Sequence, residues 1–249
     1  MSYLPVGIGV ILGVPIVARE LELRTVSFAW SLQGVRWRWL LARLWPMLAI
    51  TVIGGFVVAI TAAEMRVAQA ASPFETGYIS DIARQGPVLF SRVLVGFGMG
   101  LLAGAVVGRT LPAFLVGGIL AVAWMFVGGS MVESQVARSH ATWVAEAAMS
   151  SDDGTEPYHP LQWIGEGYKD PTGHIVEGNL YERFCSLTDS GEGDTCPDPF
   201  PPVGYEAMVR VVPMSAWVPI EQAETGAGLL VAGLAILLTF PVVAGRRPG

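Results

Sequence analysis

Charge is scarce in this 249-residue chain, where Asp, Glu, Lys and Arg make up only 14 % of the residues. Soluble domains carry about 25 % charged residues. By contrast, 52 % of the residues are hydrophobic, and the mean hydropathy is positive, at +0.51. The charges are missing mainly from long apolar runs, a pattern typical of integral membrane proteins. The composition therefore excludes an ordinary soluble enzyme.

Lysine is almost absent, which excludes a further class. Lys169 is the single lysine, against fourteen arginines. A nucleotide-binding P-loop needs a Gly-Lys pair followed by Ser or Thr, whereas Lys169 is followed by Asp170. The chain therefore has no P-loop of its own. Its net charge of −6 argues against a nucleic-acid partner.

Histidine and cysteine are scarce too, with three and two residues. No two of His140, His159 and His174 have the i, i+4 spacing of a zinc-binding helix. No Gly-x-Ser-x-Gly nucleophile elbow occurs. We therefore predict no catalytic residue, no metal site and no enzymatic activity in this chain.

Long apolar runs are abundant, and a helix needs about 20 such residues to cross a bilayer. We predict an all-α membrane protein with about five transmembrane helices. The first run lacks the basic start of a signal peptide, so we interpret it as a retained helix. The predicted spans lie near residues 1–18, 46–63, 87–108, 111–132 and 225–245.

Arginine is distributed unevenly between the loops, and this asymmetry predicts the orientation. Eight of the fifteen basic residues lie in segment 19–44, in the turn at Arg109 and in the tail after residue 245. By the positive-inside rule these parts are cytoplasmic. The prediction is a multi-pass plasma-membrane protein with a membrane region over 1–132 and a last span with a cytoplasmic tail over 225–249.

Segment 133–224 carries sixteen acidic and four basic residues, and we predict that it is a small acidic extracellular domain. Residues 131–149 are predicted to continue the fourth span outwards as an amphipathic helix. Cys185 and Cys196 both fall in this segment. In an oxidising exterior they are expected to form one disulfide.

Two features of the predicted spans allow two interpretations each. Gly96, Gly100 and Gly104 recur every fourth residue and lie on one side of a helix, which fits either generic close packing or a specific helix interface. Arg92 is a charge inside a span. Such a residue is a functional candidate, yet it lies near the outer end of the span, so its side chain could equally snorkel to the surface.

The segment 19–44 is basic and rich in tryptophan, and it is predicted to form an amphipathic helix between two spans. Such a segment lies in the membrane interface, with its arginines towards lipid headgroups or a protein partner. Interfacial anchoring alone and docking of a soluble subunit both fit this pattern. Its arginines and tryptophans are Arg19, Arg24, Arg36, Arg38, Arg43, Trp30, Trp37 and Trp39.

Two short motifs stand out. The first is Ala18-Arg19-Glu20-Leu21-Glu22, followed by Thr25, Ala29-Trp30 and Arg36-x-Arg38-Trp39-Leu40. The second is the turn Arg109-Thr110-Leu111-Pro112-Ala113. Both resemble the permease subunits of ABC-2 type transporters, in the form common in high-GC Gram-positive bacteria. The resemblance covers roughly residues 10–125, whereas the outer domain and the last span agree only in layout.

The resemblance implies the permease subunit of an exporter for a hydrophobic or amphipathic substrate. It implies a second permease copy, identical or different, and a separate ABC ATPase subunit that binds ATP and magnesium, with no cofactor in this chain. It also assigns roles to two residue sets. ATPase coupling falls to Arg19, Glu20, Glu22, Arg24 and Thr25, and the interfacial helix contains Trp30, Arg36, Arg38 and Trp39.

The layout departs from the resemblance in two ways. One further span would be expected before the first one counted here, and the acidic outer segment is longer than in many members. The competing hypothesis is therefore a membrane scaffold or anchor subunit that presents the acidic domain to a partner. A transporter needs an ATPase docked at segment 19–44, whereas a scaffold does not.

Overall fold

The fold is that of a computed structural model, which describes residues 3–23, 36–69, 86–149, 160, 162–179, 185 and 202–246. The chain divides into two compact units. The membrane unit contains the described residues up to Ser134 and those from Pro219 onwards. The sheet unit contains the described residues between Gln135 and Val218.

Most of the described residues are helical. A π-helix, Trp124–Gly129, joins two of the α-helices directly. The α-helices, in chain order, are α1 (Leu4–Gly13), α2 (Pro15–Glu22), α3 (Arg36–Gln69), α4 (Gly86–Val107), α5 (Thr110–Ala123), α6 (Ser130–His140) and α7 (Trp217–Gly245).

Within the described ranges, four helical stretches are long and apolar enough to cross a membrane. They are Trp37–Met65, Gly86–Val107, Thr110–His140 and Met214–Gly245. Helices α1 and α2 make a fifth if the pair, bent by 41°, counts as one span. The bend occurs at Pro15, which has no amide hydrogen to continue the helical ladder. The described residues therefore contain four to five candidate membrane helices, against a prediction of about five.

Helix α4 is the centre of the membrane unit. In its most apolar stretch 72 % of the residues are buried, against 17 % in Trp37–Met65. Its glycine ladder packs against α1 and the start of α2. A Cβ atom built on Gly100 would lie 2.9 Å from the Val10 carbonyl oxygen, and one built on Gly104 would lie 2.7 Å from that of Val14. The ladder is therefore a close helix interface within this chain.

A bulky side chain on this ladder is expected to destabilise the membrane unit. Replacing Gly100 with leucine forces α1 away from α4, and overpacking of this kind costs about 1–3 kcal/mol. The matched control is Gly118→Leu, because a Cβ atom on Gly118 has no neighbour within 4 Å. Thermal unfolding in lipid nanodiscs measures both variants. Equal melting temperatures would show that the α1–α4 contact is loose.

The sheet unit corrects the all-α prediction. It contains a four-stranded antiparallel sheet in the order β1-β4-β2-β3. The strands are β1 (Thr142–Ala145), β2 (Gln162–Lys169), β3 (Ile175–Glu177) and β4 (Glu206–Val212). Strand β4 buries Met208, Val209, Val211 and Val212. Valine-rich segments fit a pleated, half-buried surface.

The amphipathic helix predicted over residues 131–149 is correct only for its first part. Helix α6 ends at His140, and Thr142 begins β1, where it pairs with Val211 of β4. Thr142, Trp143 and Val144 are β-branched or aromatic residues with strand preference. Pairing with a distant strand therefore overrides the helical spacing of the apolar residues.

The β2–β3 hairpin depends on one acidic side chain. Oδ1 of Asp170 accepts hydrogen bonds from the Thr172 hydroxyl at 2.6 Å and from the amides of Thr172 and His174, both at 2.9 Å. The hydroxyl bond, with help from the two amides, holds the pKa of Asp170 below its ordinary value. Gly173, with φ +88°, provides the left-handed position of this turn.

The acidic segment and the sheet unit have different limits. The predicted domain is 133–224, whereas α7 begins at Trp217 and carries Glu221 and Glu224. Cys185 is buried, 7 % exposed, and Cys196 lies outside the described residues. Pairing of the two cysteines stays a prediction.

Candidate functional site

Several helix ends are linked by polar contacts at one end of the membrane unit. The end of α2 contacts both α3 and α5, and the residue after α7 contacts the end of α4. We call this set the helix-end junction and define it by Glu20, Glu22, Arg43, Thr110 and Arg246. It joins segments that are far apart in the sequence.

Glu22 caps helix α5 from another helix. The N-cap residue of α5, Arg109, has an extended backbone and makes no side-chain capping bond. The Glu22 carboxylate takes that role: Oε2 accepts hydrogen bonds from the Thr110 amide at 3.0 Å and from the Thr110 hydroxyl at 2.5 Å. A carboxylate at a helix N-terminus also interacts favourably with the helix dipole. The two motifs that carry the family resemblance are therefore in direct contact.

Glu20 links α2 to α3. Its carboxylate lies 2.6 Å from Nη1 of Arg43. The Arg43 guanidinium also lies over the Trp39 ring, 5.7 Å from its centroid. Trp39 is 4 % exposed and belongs to a buried cluster with residues of α2, α4 and α7. The ion pair therefore lies next to a packed apolar cluster. Both the pair and the cluster connect α2 to α3.

Arg246, the residue after α7, contacts the end of α4. Its Nη2 donates a hydrogen bond to the Val106 carbonyl oxygen, one of the last carbonyls of α4. Helix α4 is followed by Gly108, which has a φ of +70°, and then by Arg109 in an extended conformation. A left-handed glycine is the usual end of a helix, and a basic side chain suits the negative end of its dipole.

The structure places the predicted coupling residues in different settings. Arg19 is exposed on α2, whereas Glu20 and Glu22 make the contacts above. Arg24, Thr25 and Trp30 lie outside the described residues, as does the side chain of Arg36, the first residue of α3. Arg38 is exposed, with its guanidinium 5.8 Å from the centroid of the Trp37 ring. These positions do not test the predicted roles.

Sequence reasoning did not find the contacts of the helix-end junction. Thr110 lies 88 residues from Glu22, and Arg246 lies 140 residues from Val106. The arginine-threonine turn was recognised as a motif, yet spacing alone cannot show which residue faces it. The positive charge of the tail indicates an orientation in the membrane but not a contact with α4.

A second polar contact lies inside the membrane unit. Nη2 of Arg92 donates to Oε1 of Glu224 at 2.6 Å, and the two side chains are 10 % and 7 % exposed. Arg92 is therefore buried and paired, which removes the need for snorkelling. Glu224 was counted with the acidic outer segment, although it lies on α7.

Neither contact has the form of a metal centre. In the part of the chain that the structure describes, no group of three or more His, Cys, Asp or Glu residues could hold a metal ion. The polar contacts instead join helices to one another.

These features define a multi-pass membrane protein whose helices are tied together at their ends and by one buried ion pair. Residues 1–133 match the model of a family described as ABC-2 membrane transporter related. The match covers more than half of the chain, so the chain belongs to this family, and the predicted resemblance to ABC-2 type permeases is confirmed. The high-GC Gram-positive form stays a prediction. No curated protein and no solved structure matches the chain.

Proposed function

We propose that this chain is the transmembrane permease subunit of an ABC-2 type exporter and acts with a separate ATPase subunit. Membership of the family supports a permease role. The observation that carries the coupling proposal is the direct contact of Glu22 with Thr110, which joins the two motifs typical of the family.

The junction supports a mechanical route from the ATPase to the spans. The ATPase would bind at the exposed Arg19 and the arginine segment that follows, and its closure on ATP would displace α2. Glu20 forms an ion pair with Arg43 of α3, and Glu22 accepts a hydrogen bond from Thr110 of α5. A movement of α2 would therefore displace both helices. Packed helices respond to such a pull by rigid-body shifts. None of these residues takes part in covalent chemistry.

The proposed assembly contains a second permease copy, identical or different, with ATP and magnesium bound by the ATPase. The substrate class that the family implies is hydrophobic or amphipathic. The arginine asymmetry supports a plasma-membrane orientation with the C-terminus in the cytoplasm and the residues between the fourth and the last membrane helix outside. The outside location supports a Cys185–Cys196 disulfide.

Affinity purification from mild detergent, with mass spectrometry and an ATPase assay, tests the proposal. We expect a P-loop ATPase to co-purify with the wild-type chain, and its recovery to fall about tenfold with Arg19→Ala, as for a central interface residue. Arg19 is exposed, so its loss should not disturb folding. The matched control is Arg138→Ala, an exposed arginine on α6.

A stable complex without a nucleotide-binding subunit would contradict the proposal. That result would favour the scaffold hypothesis and direct attention to the acidic segment. Equal loss of the ATPase with Arg19→Ala and Arg138→Ala would argue against a coupling site on α2.

A further inference from the structure

The membrane unit contains a pocket of about 210 Å³ beside the buried ion pair. It is formed by the start of α1, by α4, and by the region where the π-helix passes into α6. Its lining residues are Tyr3, Arg92, Met125, Phe126, Gly129, Ser130 and Glu133.

Two charged side chains line the pocket, the guanidinium of Arg92 and the carboxyl group of Glu133. Arg92 is paired with Glu224, which is not one of the lining residues. Glu133 therefore offers its carboxyl group to a ligand in the pocket. Oε2 of Glu224 is buried and has no hydrogen-bond partner among the described residues. A Cβ atom built on Gly129, which lines the pocket, would lie 3.6 Å from Oε1 of Glu224, so this carboxylate lies directly behind the pocket wall.

The pocket also has an aromatic wall. The rings of Tyr3 and Phe126 stack, with their centroids 5.8 Å apart. Phe126 lies in the π-helix Trp124–Gly129. π-helical turns are rare and occur frequently at functional sites. The hydroxyl of Ser130 is already used, because it donates to the Phe126 carbonyl.

We propose that this pocket binds the head group of an organic cation, such as a quaternary ammonium. The Glu133 carboxylate, which lines the pocket, forms an ion pair with the ammonium group, and aromatic rings bind such groups through their π faces. The volume suits a head group rather than a whole drug-sized molecule, for which pockets measure about 300–1,000 Å³. Identifying this cation as the cargo rests on the proposed permease function, whereas the binding itself does not.

Equilibrium dialysis of labelled choline against the full-length chain in nanodiscs, without any ATPase, tests the binding. We expect choline and tetramethylammonium to bind, and the neutral isostere 3,3-dimethyl-1-butanol to bind about tenfold more weakly or worse. Glu133→Gln should weaken choline binding about tenfold or more, because it removes the pocket-facing charge. The matched control is Glu64→Gln, an exposed glutamate on α3.

A second variant, Phe126→Leu, tests the same pocket in case Glu133→Gln fails to fold. Phe126→Leu keeps an apolar side chain but removes the ring, and should weaken choline several-fold while leaving the neutral isostere unchanged. The proposal is overturned if choline and its isostere bind equally, or if Glu133→Gln binds choline as tightly as the wild type. Preferential binding of inorganic phosphate at Arg92 would also overturn it. Failure of the ATPase to co-purify would leave these results unaffected.

Discussion

Glu224→Ala is expected to destabilise the membrane unit by about 3 kcal/mol or more, the largest stability effect we predict for a single substitution. The change removes the carboxylate that lies 2.6 Å from the Arg92 guanidinium, whose side chain is 10 % exposed. Removing one partner of a buried ion pair costs about 3–5 kcal/mol. Thermal unfolding in nanodiscs, followed by tryptophan fluorescence, measures the loss.

Two further variants separate the ion pair from its surroundings. Glu64→Ala makes the same chemical change at an exposed position on α3 and should leave the stability within about 0.5 kcal/mol. Arg92→Met combined with Glu224→Met removes both charges and should recover most of the loss, because apolar residues of similar volume replace buried ion pairs well. If Glu224→Ala and Glu64→Ala unfold at the same temperature, the pair does not stabilise the unit.

Glu22→Gln is expected to lower transport-coupled ATPase activity about tenfold while the ATPase still co-purifies. Glutamine has the size of glutamate but no negative charge. Its hydrogen bonds with the amide and hydroxyl of Thr110 are therefore weaker than those of the carboxylate. Helix α2 can then move without pulling α5. The readout is the ratio of ATPase activity to substrate transport in proteoliposomes that contain the purified complex.

A double-mutant cycle with Thr110→Val tests whether the two residues act through one contact. If they do, the double variant should be no worse than the more severe single variant, because neighbours that share an interaction are not additive. Thr61→Val is the matched control: Thr61 is exposed on α3 and its hydroxyl bonds to carbonyls of its own helix. Fully additive losses would show that Glu22 and Thr110 act independently.

The membrane helices were accessible to sequence reasoning because each depends on its own residues. An apolar run of sufficient length predicts a span wherever the rest of the chain lies. The same holds for the two short motifs, which lie within residues 1–133, the part matched by the family model. The first run, predicted over residues 1–18, is less regular, because a bend at Pro15 divides it into the two short helices α1 and α2.

The sheet was not accessible in the same way. Strand β4 forms the centre of the ladder, and its partners Thr142 and Lys169 precede it by many residues. Short strands gain their stability from such cross-strand pairs rather than from local preference. Apolar spacing over 131–149 therefore favoured a helix, although the α-helix ends at His140 and a strand and a short 3-10 helix, Glu146–Met149, follow.

The sequence by itself determined the class of protein, the apolar runs long enough to cross a membrane and the family, because apolar length and motif identity are local properties of the chain. Only the tertiary structure decided what the polar residues contact. Glu22 reaches Thr110 across 88 positions, and Arg92 reaches Glu224 across 132. Side-chain partners at such separations are set by how the helices pack, and no pattern along the chain encodes that packing directly.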